Sequence, residues 1–409
     1  MRETQQTGCA EKGIMSTFHI TGGDSKGSKT SRKPQRRHGL PALPFALAAH
    51  SVLPARFDLY RTLPLACLLT VLGLAGCGGG RGNTSGISQY VAHFREFPVP
   101  VGSNDPTATI PGSWPDDLRG DDQGNIWFAE HHSNEVGRMS PTGTYTGFAV
   151  PTPNSEMDGI AVDSAHGRVW VTETAGNKVV RIEMATGQVT EIPVPTPHAD
   201  PGDLAVAPDG TVWFTEGYEG GMGTGRLARI DPAANQITEI ALPGPRNGLD
   251  GITLDAFGAV WFVEINDNRI GRYASGQFRE FALPRPGVLP TNLAVDTQGR
   301  VWVTEQVGNA IAILNPVNNS WQELSLPTPN ALPSGITIDR SGNVWFTEFQ
   351  ASKIGLVLAG TTTVLDFAIP TPNSGPEDVF AAANSTVYFT EQYANKIGQI
   401  TVSRQPLSR

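Results

Sequence analysis

An aromatic residue followed three positions later by a glutamate occurs seven times between residues 127 and 391. Successive aromatic residues are 43, 43, 48, 41, 43 and 43 positions apart. A repeat of about 40 residues that contains tryptophan and turn sequences is typical of a β-propeller blade. The spacing therefore predicts an all-β, seven-bladed propeller. The seven pairs are Trp127/Glu130, Trp170/Glu173, Trp213/Glu216, Trp261/Glu264, Trp302/Glu305, Trp345/Glu348 and Tyr388/Glu391.

Each repeat contains four short apolar runs, which we name strands a, b, c and d. In the second repeat they cover residues 159–163, 168–173, 177–182 and 189–195. β-Branched and aromatic residues dominate the runs, and Gly, Asn, Asp and Pro fill the gaps, as antiparallel hairpins require. Because residues 90–402 show no sustained 3.6-residue period, we expect four-stranded antiparallel blades and no helix.

The two ends of the repeat region indicate how the ring closes. The last repeat ends after its strand c at residues 396–400, and no strand d follows. A spare strand d, residues 94–100, stands in front of the first repeat and resembles residues 278–284. We therefore expect the N-terminal strand to complete the seventh blade, which leaves no open blade edge.

The residues before the repeats are predicted to be a targeting segment. An apolar run at residues 62–77 follows Arg56 and Arg61, as in a signal peptide. The sequence from Leu74 to Cys77 resembles the bacterial lipobox, which implies diacylation of Cys77; cleavage without lipid is the alternative. We expect a lipid-anchored protein of the bacterial cell envelope. The predicted divisions are 1–55, disordered or ahead of the true translation start; 56–77, signal peptide; 78–89, flexible tether; 90–402, propeller; and 403–409, tail.

Charge and cysteine content narrow the classes of partner. Residues after position 76 hold 20 Lys and Arg against 35 Asp and Glu, a net charge of −15. This charge disfavours nucleic acid and permits a metal ion, a cationic ligand or simply good solubility. The three cysteines, at positions 9, 67 and 77, all lie at or before the lipobox, so the propeller has no disulfide. We expect a monomer that binds a small-molecule or peptide-like ligand.

Acidic residues are predicted to gather on one rim of the propeller. In an antiparallel blade the start of strand a lies beside the end of strand b, where the repeated glutamates stand. The strand a starts supply further polar residues, namely Asp116, Asp158, Gly202, Asp250, Thr291, Ser334 and Glu377. Architecture is the first explanation of a feature present in all blades, with each glutamate accepting backbone hydrogen bonds. A buried ring of carboxylates also requires donors or a cation.

Function is expected where single repeats depart from the pattern. His131 and His132 follow the first repeated glutamate, and a glycine-rich insertion occupies residues 217–225. Arg246 and Arg285 could bind an anionic group or pair with rim acids. The predicted ligand-binding residues are Asp116, Asp158, Asp250, Asn292, Glu173 and Glu264. The predicted Mg²⁺ or Ca²⁺ ligands are Glu130, Glu173 and Asp158, with His131 as a candidate base.

Several motifs resemble the virginiamycin B lyase, or streptogramin lyase, family. They are Val-Trp-Phe-Thr-Glu at 344–348, Asn-Lys-Ile-Gly at 395–398, Pro-Thr-Pro-Asn at 151–154, 327–330 and 370–373, and Ser-Gly-Ile-Thr at 334–337. The resemblance covers about residues 90–402 and implies a seven-bladed propeller. In that family a Mg²⁺-dependent elimination opens a cyclic depsipeptide antibiotic at its ester.

The resemblance also implies where the family's catalytic residues would stand. The family uses histidines at the strand a starts of the last two blades, an acid two residues before the second histidine, and that blade's strand b glutamate. The corresponding residues here are Ser334, Glu377, Gly375 and Glu391. Glu391 and Glu377 are therefore the candidate catalytic residues by family position, and the histidine base is absent.

Three functions remain open from the sequence. The first is binding of a ligand or partner on the acidic rim, with or without a divalent cation. The second is a Mg²⁺-dependent carbon–oxygen lyase, or a lactonase-like hydrolase, with a relocated site that uses Glu130, His131, Asp158 and Glu173. The third is a structural scaffold of the envelope.

Overall fold

The structure is a computed structural model, and it describes residues 88–100, 112–217, 225–244 and 248–406. Within these ranges every regular element is a β-strand, and the strands form seven four-stranded antiparallel sheets. The predicted all-β, seven-bladed propeller is confirmed. No helix in the described part of the chain is long and apolar enough to cross a membrane.

The strands follow one another in blade order, four to a blade, with the first strand of the chain added to the last blade. Blade one contains β2 (Pro115–Gly120), β3 (Ile126–Glu130), β4 (Glu135–Met139) and β5 (Tyr145–Ala149). Blade two contains β6 (Met157–Asp163), β7 (Arg168–Glu173), β8 (Lys178–Glu183) and β9 (Val189–Pro193). Blade three contains β10 (Pro201–Val206), β11 (Val212–Glu216), β12 (Arg226–Asp231) and β13 (Gln236–Ala241). Blade four contains β14 (Leu249–Leu254), β15 (Val260–Glu264), β16 (Arg269–Ala274) and β17 (Gln277–Ala282).

The remaining strands complete the ring. Blade five contains β18 (Pro290–Val295), β19 (Val301–Glu305), β20 (Ala310–Asn315) and β21 (Ser320–Ser325). Blade six contains β22 (Pro333–Ile338), β23 (Val344–Glu348), β24 (Lys353–Val357) and β25 (Val364–Ala368). Blade seven contains β26 (Val379–Ala381), β27 (Val387–Glu391), β28 (Lys396–Pro406) and β1 (Ser88–Pro98).

The repeated tryptophan holds the turn between strands a and b. The Nε1 of Trp127 donates to the Oδ2 of Asp121 at 2.9 Å, and the same bond recurs in blades four, five and six. In blade two the equivalent Asp163 bonds to His166 instead, and Trp170 has no such partner within the described residues. The tryptophan is therefore an architectural feature. It packs between blades, where Trp170, for example, joins the apolar core shared with Phe214 of blade three.

Glycine on strand c makes room for the phenylalanine that follows the aromatic position on strand b. A Cβ added to Gly355 would lie 2.1 Å from the ring of Phe346, and one on Gly398 would lie 2.1 Å from Phe389. Where strand b carries valine, as Val171 does in blade two, strand c carries Val180 opposite it. The Ile-Gly portion of the Asn-Lys-Ile-Gly motif is thus explained by packing.

The N-terminal strand closes the ring as predicted. β1 pairs with β28 antiparallel over eleven residues, from Ser88 opposite Pro406 to Pro98 opposite Lys396. Glu96 then accepts hydrogen bonds from Lys396 at 2.7 Å and from the hydroxyl of Thr371 at 2.9 Å. β1 therefore supplies both the outer strand and the acidic residue that the outer strands of other blades provide.

Candidate functional site

The strand register places the predicted rim on one face, which we call the top face. Pro115 at the start of β2 pairs with Glu130 at the end of β3, and Glu130 pairs with Glu135 at the start of β4. The same pairing recurs in blades two to six, so the loops from d to a and from b to c share this face. A β-bulge follows in the first strand of these blades. In blade one it lies between Pro115 and Leu118, at the position of Asp116 and Asp117.

The seven repeated glutamates are buried inside the blades. Each is at most 1% exposed. Glu130 accepts hydrogen bonds from the Ser133 hydroxyl at 2.5 Å and the Tyr145 hydroxyl at 2.7 Å. Its carboxylate also faces Gly137 of strand c, where an added Cβ would lie 2.7 Å from its Oε1. The glutamates therefore face strands c and d, away from the strands that line the channel, and Glu173 and Glu264 present no surface to a ligand.

Burial alters the protonation of these glutamates. Burial is the largest cause of a raised pKa in six of them, because the charged form loses its hydration; the six are Glu130, Glu173, Glu216, Glu305, Glu348 and Glu391. At Glu173 the neighbouring Glu191 raises the pKa further and Lys178 lowers it. The pKa reaches about 8 in Glu173, Glu216 and Glu391, and about 7 in Glu130, Glu305 and Glu348.

A hydrogen-bonded cluster at the outer edge of the top face joins successive blades. In blade two, the Thr152 hydroxyl and the Lys178 ammonium both reach the carboxylate of Glu191, at 2.8 and 2.5 Å. Thr152 belongs to the Pro-Thr-Pro loop that leaves blade one, so the cluster fixes that loop to blade two. We call these clusters outer latches. They recur as Thr328–Lys353–Asp366 and Thr371–Lys396–Glu96, and Thr196–Glu239 forms a partial version.

Arg285 has a comparable architectural role. Its guanidinium contacts the buried Glu305 at 2.5 Å and Glu323 of the outer strand at 2.7 Å. Of the two roles considered for this arginine, the structure shows pairing with rim acids. Asn395 acts at another junction, where its Oδ1 accepts from the backbone N–H groups of Ser113 and Trp114 at 2.8 and 3.1 Å.

The channel mouth is surrounded by a ring of residues that the sequence alone did not single out. Each stands two positions before one of the strand a start residues, from Asp116 to Glu377, and each has a left-handed backbone with φ between 47° and 70°. Most L-residues adopt this conformation only at some cost, so the fold imposes it seven times. Alignment of the loops before the strand a starts would have revealed the ring. Its members, which we call the mouth ring, are Trp114, Glu156, Asp200, Gly248, Leu289, Leu332 and Gly375.

Below the mouth, a half-buried arginine, with its side chain 26% exposed, lies among buried carboxylates. Arg119 forms an ion pair with Asp378, and the backbone N–H of Leu118 donates to the same carboxylate at 3.1 Å. Although burial acts to lower it, Asp378, Asp203 and Asp117 raise the pKa of Arg119. Burial, followed by the charge of Asp378, holds the pKa of Asp117 well above its usual value, and burial raises that of Asp203 to about 6.

Asp117, Asp203 and Asp378 each stand one position after a strand a start, and together the seven such positions form a second ring below the mouth. Glycines in alternate blades explain how this ring is arranged. A Cβ on Gly159 would lie 2.6 Å from the Cα of Asp203, and one on Gly335 would lie 2.6 Å from that of Asp378. Because the number of blades is odd, glycine and a larger residue cannot alternate around the whole ring. At one junction, Asp378 of blade seven is therefore followed by Asp117 of blade one rather than by a glycine. Arg119 lies at this junction of like charges. Arg119 and Asn292 also line a channel cavity of about 220 Å³.

Blade seven shows what replaces the catalytic constellation implied by the resemblance. The Ser334 hydroxyl donates to the Oε1 of Glu377 at 2.6 Å, so the two residues at the histidine positions bond to each other. Gly375 has φ of 60°, and a Cβ there would lie 2.8 Å from the ring of Tyr393. Tyr393 therefore covers the position of the family's acid. Glu391 is fully buried, beside Glu96 and Lys396.

Aromatic side chains form a continuous row on the top face of blades six, seven and one. Ring centroids are 5.3 Å apart for Phe349 and Tyr393, 5.6 Å for Tyr393 and Trp114, and 4.4 Å for Trp114 and His132. His131 extends the row at 4.8 Å from His132. Tyr393 is 46% exposed, whereas Phe349 is 4% exposed. Neighbouring rings meet edge to face, with interplanar angles of 72°, 67° and 61°, and Tyr393 exposes a partly apolar surface beside the mouth.

His131 lies at the first strand of the next blade. Its Nδ1 is 2.9 Å from the carbonyl oxygen of Met157 and 3.7 Å from the Oδ2 of Asp116. Asp116 itself is fully buried and Asp158 is 5% exposed, while Asp250 is half-buried. Of the predicted ligand-binding residues, the structure thus leaves Asp250 and Asn292 partly exposed, and Asn292 lines the channel cavity.

The predicted metal ligands are not drawn together. Among the described residues, no group of three His, Cys, Asp or Glu side chains is placed to hold a metal ion. The carboxylate oxygens of Glu130 are engaged by Ser133 and Tyr145, and Glu173 is enclosed. These residues do not fit a resident divalent cation, and metal dependence stays a prediction. Cys77, Arg246 and residues 218–224 of the glycine-rich insertion lie outside the described residues.

Comparison with known proteins places this geometry in context. The model of the Virginiamycin B lyase family matches residues 107–320 and 222–406. A virginiamycin B lyase from Nocardia farcinica is 38% identical over 100 residues, which are 24% of this chain and 34% of that protein. The match thus spans about a third of the curated relative's length.

Solved structures are similar over the whole propeller. A streptogramin B lyase has a TM-score of 0.68 at 28% identity, with 76% of this chain and 98% of that chain covered. A catalytically inactive virginiamycin B lyase from Staphylococcus aureus, solved with quinupristin, has a TM-score of 0.67 at 28% identity, with coverage of 76% and 99%.

Proposed function

The chain belongs to the virginiamycin B lyase family, and we propose that it is an envelope protein that binds a small-molecule or peptide-like ligand over its channel mouth. One observation carries the proposal: the blades agree at the outer edge of the top face and differ at the mouth ring. Complete outer latches recur in blades two, six and seven, and a partial one joins Thr196 to Glu239, whereas the mouth ring contains Trp, Glu, Asp, Gly, Leu, Leu and Gly. Side chains held in an unfavourable backbone conformation without a shared residue type are suited to recognition.

The proposal does not assign the family's elimination to this chain. That reaction needs a base beside the ester, and Ser334 and Glu377 stand where the resemblance implies histidines. The position of the family's acid is Gly375, which has no carboxylate and is covered by the ring of Tyr393. One missing general base commonly reduces the rate by about 10²–10⁴-fold. The recognition surface is retained in a changed form while the reactive groups are replaced.

Purified protein tests both statements with quinupristin as the probe. With Mg²⁺ present, we expect mass spectrometry to detect little or no opening of the quinupristin ring. A thermal-shift screen of cyclic peptides, lactones and metabolites should yield ligands that raise the melting temperature. Rapid, Mg²⁺-dependent opening would show that the chain is a lyase. A screen in which no compound shifts the melting temperature would favour the scaffold function.

A second candidate function rests on His131. Its Nδ1 is 2.9 Å from the carbonyl oxygen of Met157, which orients the ring, and the Asp116 carboxylate 3.7 Å away would stabilise a protonated imidazole. This favours a carbon–oxygen lyase, or a lactonase-like hydrolase, with its chemistry moved to blade one. Any cyclic-ester opening should then survive Glu377→Gln and be lost in His131→Ala. The opposite pattern would place the chemistry in blade seven.

We also propose attachment to the membrane through Cys77. The support is the sequence Leu-Ala-Gly-Cys at 74–77 after an apolar run. In a bacterial host the protein should fractionate with membranes, and Cys77→Ser should release it or block processing. Equal soluble fractions for both forms would contradict the anchor.

A further inference from the structure

Beyond the proposed recognition at the mouth, we propose that the channel cavity below it is a separate binding site for a small organic carboxylate. The amide of Asn292 and the backbone N–H of Ile336 would donate to the carboxylate, and the Arg119 guanidinium would supply the opposite charge. A free organic acid and the C-terminal carboxylate of a peptide share this chemistry. The site does not depend on the surface at Tyr393.

The cavity is small and mostly apolar. Its volume is about 220 Å³, which is roughly the space of seven water molecules. The first strands of blade one and of blades four to seven line it, and its apolar wall includes Leu293, Ile336 and Phe380. The residues that line it include no Asp or Glu. Its polar residues are Arg119, Asn292, Thr253 and Thr337.

Blades three and seven show how a carboxylate is used in the second ring. The Asp203 carboxylate accepts from the backbone N–H of Leu204 at 2.7 Å and, with its other oxygen, from that of Ile252 in blade four at 3.3 Å. Asp378 of blade seven likewise accepts from the backbone N–H of Leu118 in blade one at 3.1 Å. A carboxylate oxygen therefore satisfies a backbone donor of the following blade.

Asn292 occupies this ring position in blade five, but only one of its terminal atoms can accept. Its Oδ1 accepts from the backbone N–H of Leu293 at 2.7 Å, as Asp203 does within its own blade. The other terminal atom is Nδ2, which is itself a donor. The same step from blade to blade leads from Asn292 to Ile336, which also lines the cavity. Two N–H donors thus stand where blades three and seven place a carboxylate oxygen, and a ligand oxygen would accept from both.

Arg119 adds a positive charge that is accessible from the cavity. Its Nη1 donates to Asp378 and to the carbonyl oxygen of Leu118. Within the described ranges, Nε and Nη2 of Arg119 and Nδ2 of Asn292 donate no hydrogen bond, and none of these three atoms is buried. The Arg119 side chain is 26% exposed. A guanidinium with unused N–H groups is suited to a carboxylate.

The acids around Arg119 do not reach the cavity. Asp117, Asp203 and Asp378 are at most 8% exposed, and none of them lines it. Burial holds the pKa of Asp117 well above its usual value and raises that of Asp203 to about 6, so both are largely protonated in mildly acidic solution. The charge of Asp378 is shared between Arg119 and the backbone N–H of Leu118. A cation therefore finds no carboxylate on the cavity wall, whereas a carboxylate finds unused donors.

Three probes that match the cavity in size and differ in charge test the inference. They are isovalerate, which is anionic, isovaleramide, which is its uncharged isostere, and isoamylamine, which is cationic. Calorimetric titration of the purified full chain at about pH 5.5 should give isovalerate a Kd at least about 10-fold lower than that of isovaleramide. Isoamylamine should not bind at millimolar concentration.

Asn292→Asp connects the affinity to the named donors, because it supplies the missing carboxylate oxygen within the chain. The new carboxylate should bridge the two N–H groups as Asp203 does, so the isovalerate affinity should fall by at least about 10-fold while the protein stays folded. Asn318→Asp is the matched control. It makes the same substitution in the same blade, in the exposed turn between β20 and β21 at the opposite end, and should change the Kd by less than about 2-fold.

A second pair of probes separates the two sources of the carboxylate. The dipeptide acetyl-Ala-Val is titrated with a free C-terminal carboxylate and with a C-terminal amide. Tighter binding of the peptide acid than of isovalerate would indicate a peptide C-terminus as the ligand. Tighter binding of isovalerate would indicate a free organic acid.

Several results would overturn the inference and leave the proposed function at the mouth untouched. It fails if isovaleramide or isoamylamine binds as tightly as isovalerate, or if no probe binds at millimolar concentration. It also fails if Asn292→Asp and Asn318→Asp weaken binding equally, because net charge would then be the cause. Loss of isovalerate binding in Tyr393→Ala would place the ligand at the mouth instead of the channel. Failure of the mouth proposal is recognised separately, when no compound from the thermal-shift screen loses affinity in Tyr393→Ala.

Discussion

The outer edge of the top face and the channel mouth are built by the same seven repeats, but side-chain contacts recur at the edge and only the backbone conformation recurs at the mouth. At the outer edge a threonine, a lysine and a carboxylate recur with almost the same contacts, as in Thr152–Lys178–Glu191 and Thr371–Lys396–Glu96. At the mouth the backbone recurs, with φ near 50° in most blades, while the residue type changes. The edge therefore holds the blades together, and the mouth is open to variation at little cost to the fold.

Loss of the N-terminal strand should have the largest effect on the edge. Deletion of residues 88–98 removes β1, the Glu96 latch and the outer edge of blade seven. We expect a loss of at least about 5 kcal/mol, comparable with the whole stability of many domains, and aggregation through the exposed edge. Denaturant unfolding followed by circular dichroism measures it. Removal of residues 1–81 is the control and should leave the unfolding transition unchanged. Ring closure would be contradicted if the variant without residues 88–98 were monomeric and melted within a few degrees of the parent.

Removal of the channel arginine should rank second. Arg119→Met leaves Asp378, Asp117 and Asp203 near one another without a cation. Breaking a fully buried ion pair in this way costs about 3–5 kcal/mol, and because the Arg119 side chain is 26% exposed we expect a loss of about 2–3 kcal/mol. Because burial raises the pKa of Asp117 and of Asp203, protonation of these two acids should make the loss shrink as the pH falls from 7 to 5. Arg340→Met, at an exposed turn, is the control; an equal loss at both pH values would show that repulsion is not the cause.

Two glutamates of blade two should respond to pH in opposite directions. Glu173 has a folded-state pKa of about 8, above its unfolded value, so its contribution is fully present at low pH and is lost as the pH rises from about 4.5 to 8. Although burial acts to raise it, Lys178 and Thr152 lower the pKa of Glu191, whose contribution is lost as the pH falls. Glu173→Gln should therefore stabilise the protein by about 1–3 kcal/mol at pH 8 and little at pH 5.

Glu191→Gln should instead destabilise the protein by about 1 kcal/mol at pH 8, since it breaks the latch to Lys178. Urea titrations of both variants at the two pH values provide the comparison. The same pH response in both would mean that the inner and outer acids of a blade share one environment.

The repeats made the fold predictable because strand and turn chemistry recur at a fixed spacing. Blade number, strand number and closure by β1 were all predicted and are confirmed. The side of each blade to which the repeated glutamates point was not evident, because it depends on the strand c glycines and on strand d partners such as Tyr145. Those contacts join residues far enough apart that no local pattern reveals them.

The site was less predictable, since it lies in the departures from the repeat. His131 was recognised as such a departure and lies at the mouth. Trp114, Tyr393 and Phe349 were not recognised, because Trp114 precedes β2 whereas the other two follow β27 and β23, and only the closed ring brings their side chains together. Arg119 was missed for a similar reason: its partner Asp378 is 259 positions away and reaches it only across the closed junction.

The smallest effect on stability is expected at the mouth itself. This prediction is the most direct test of the difference between the outer edge and the mouth. Tyr393 is 46% exposed, and its ring covers Gly375, so truncation removes surface contacts and leaves no closed cavity. Tyr393→Ala should therefore change the free energy of unfolding by less than about 0.5 kcal/mol. Phe349→Ala is the matched variant in the same row: its ring is 4% exposed, and its loss should cost about 3 kcal/mol through a cavity. If both variants lost stability equally, the aromatic row would be part of the architecture; if only Phe349→Ala did, Tyr393 is held at the mouth for contact with something other than the protein.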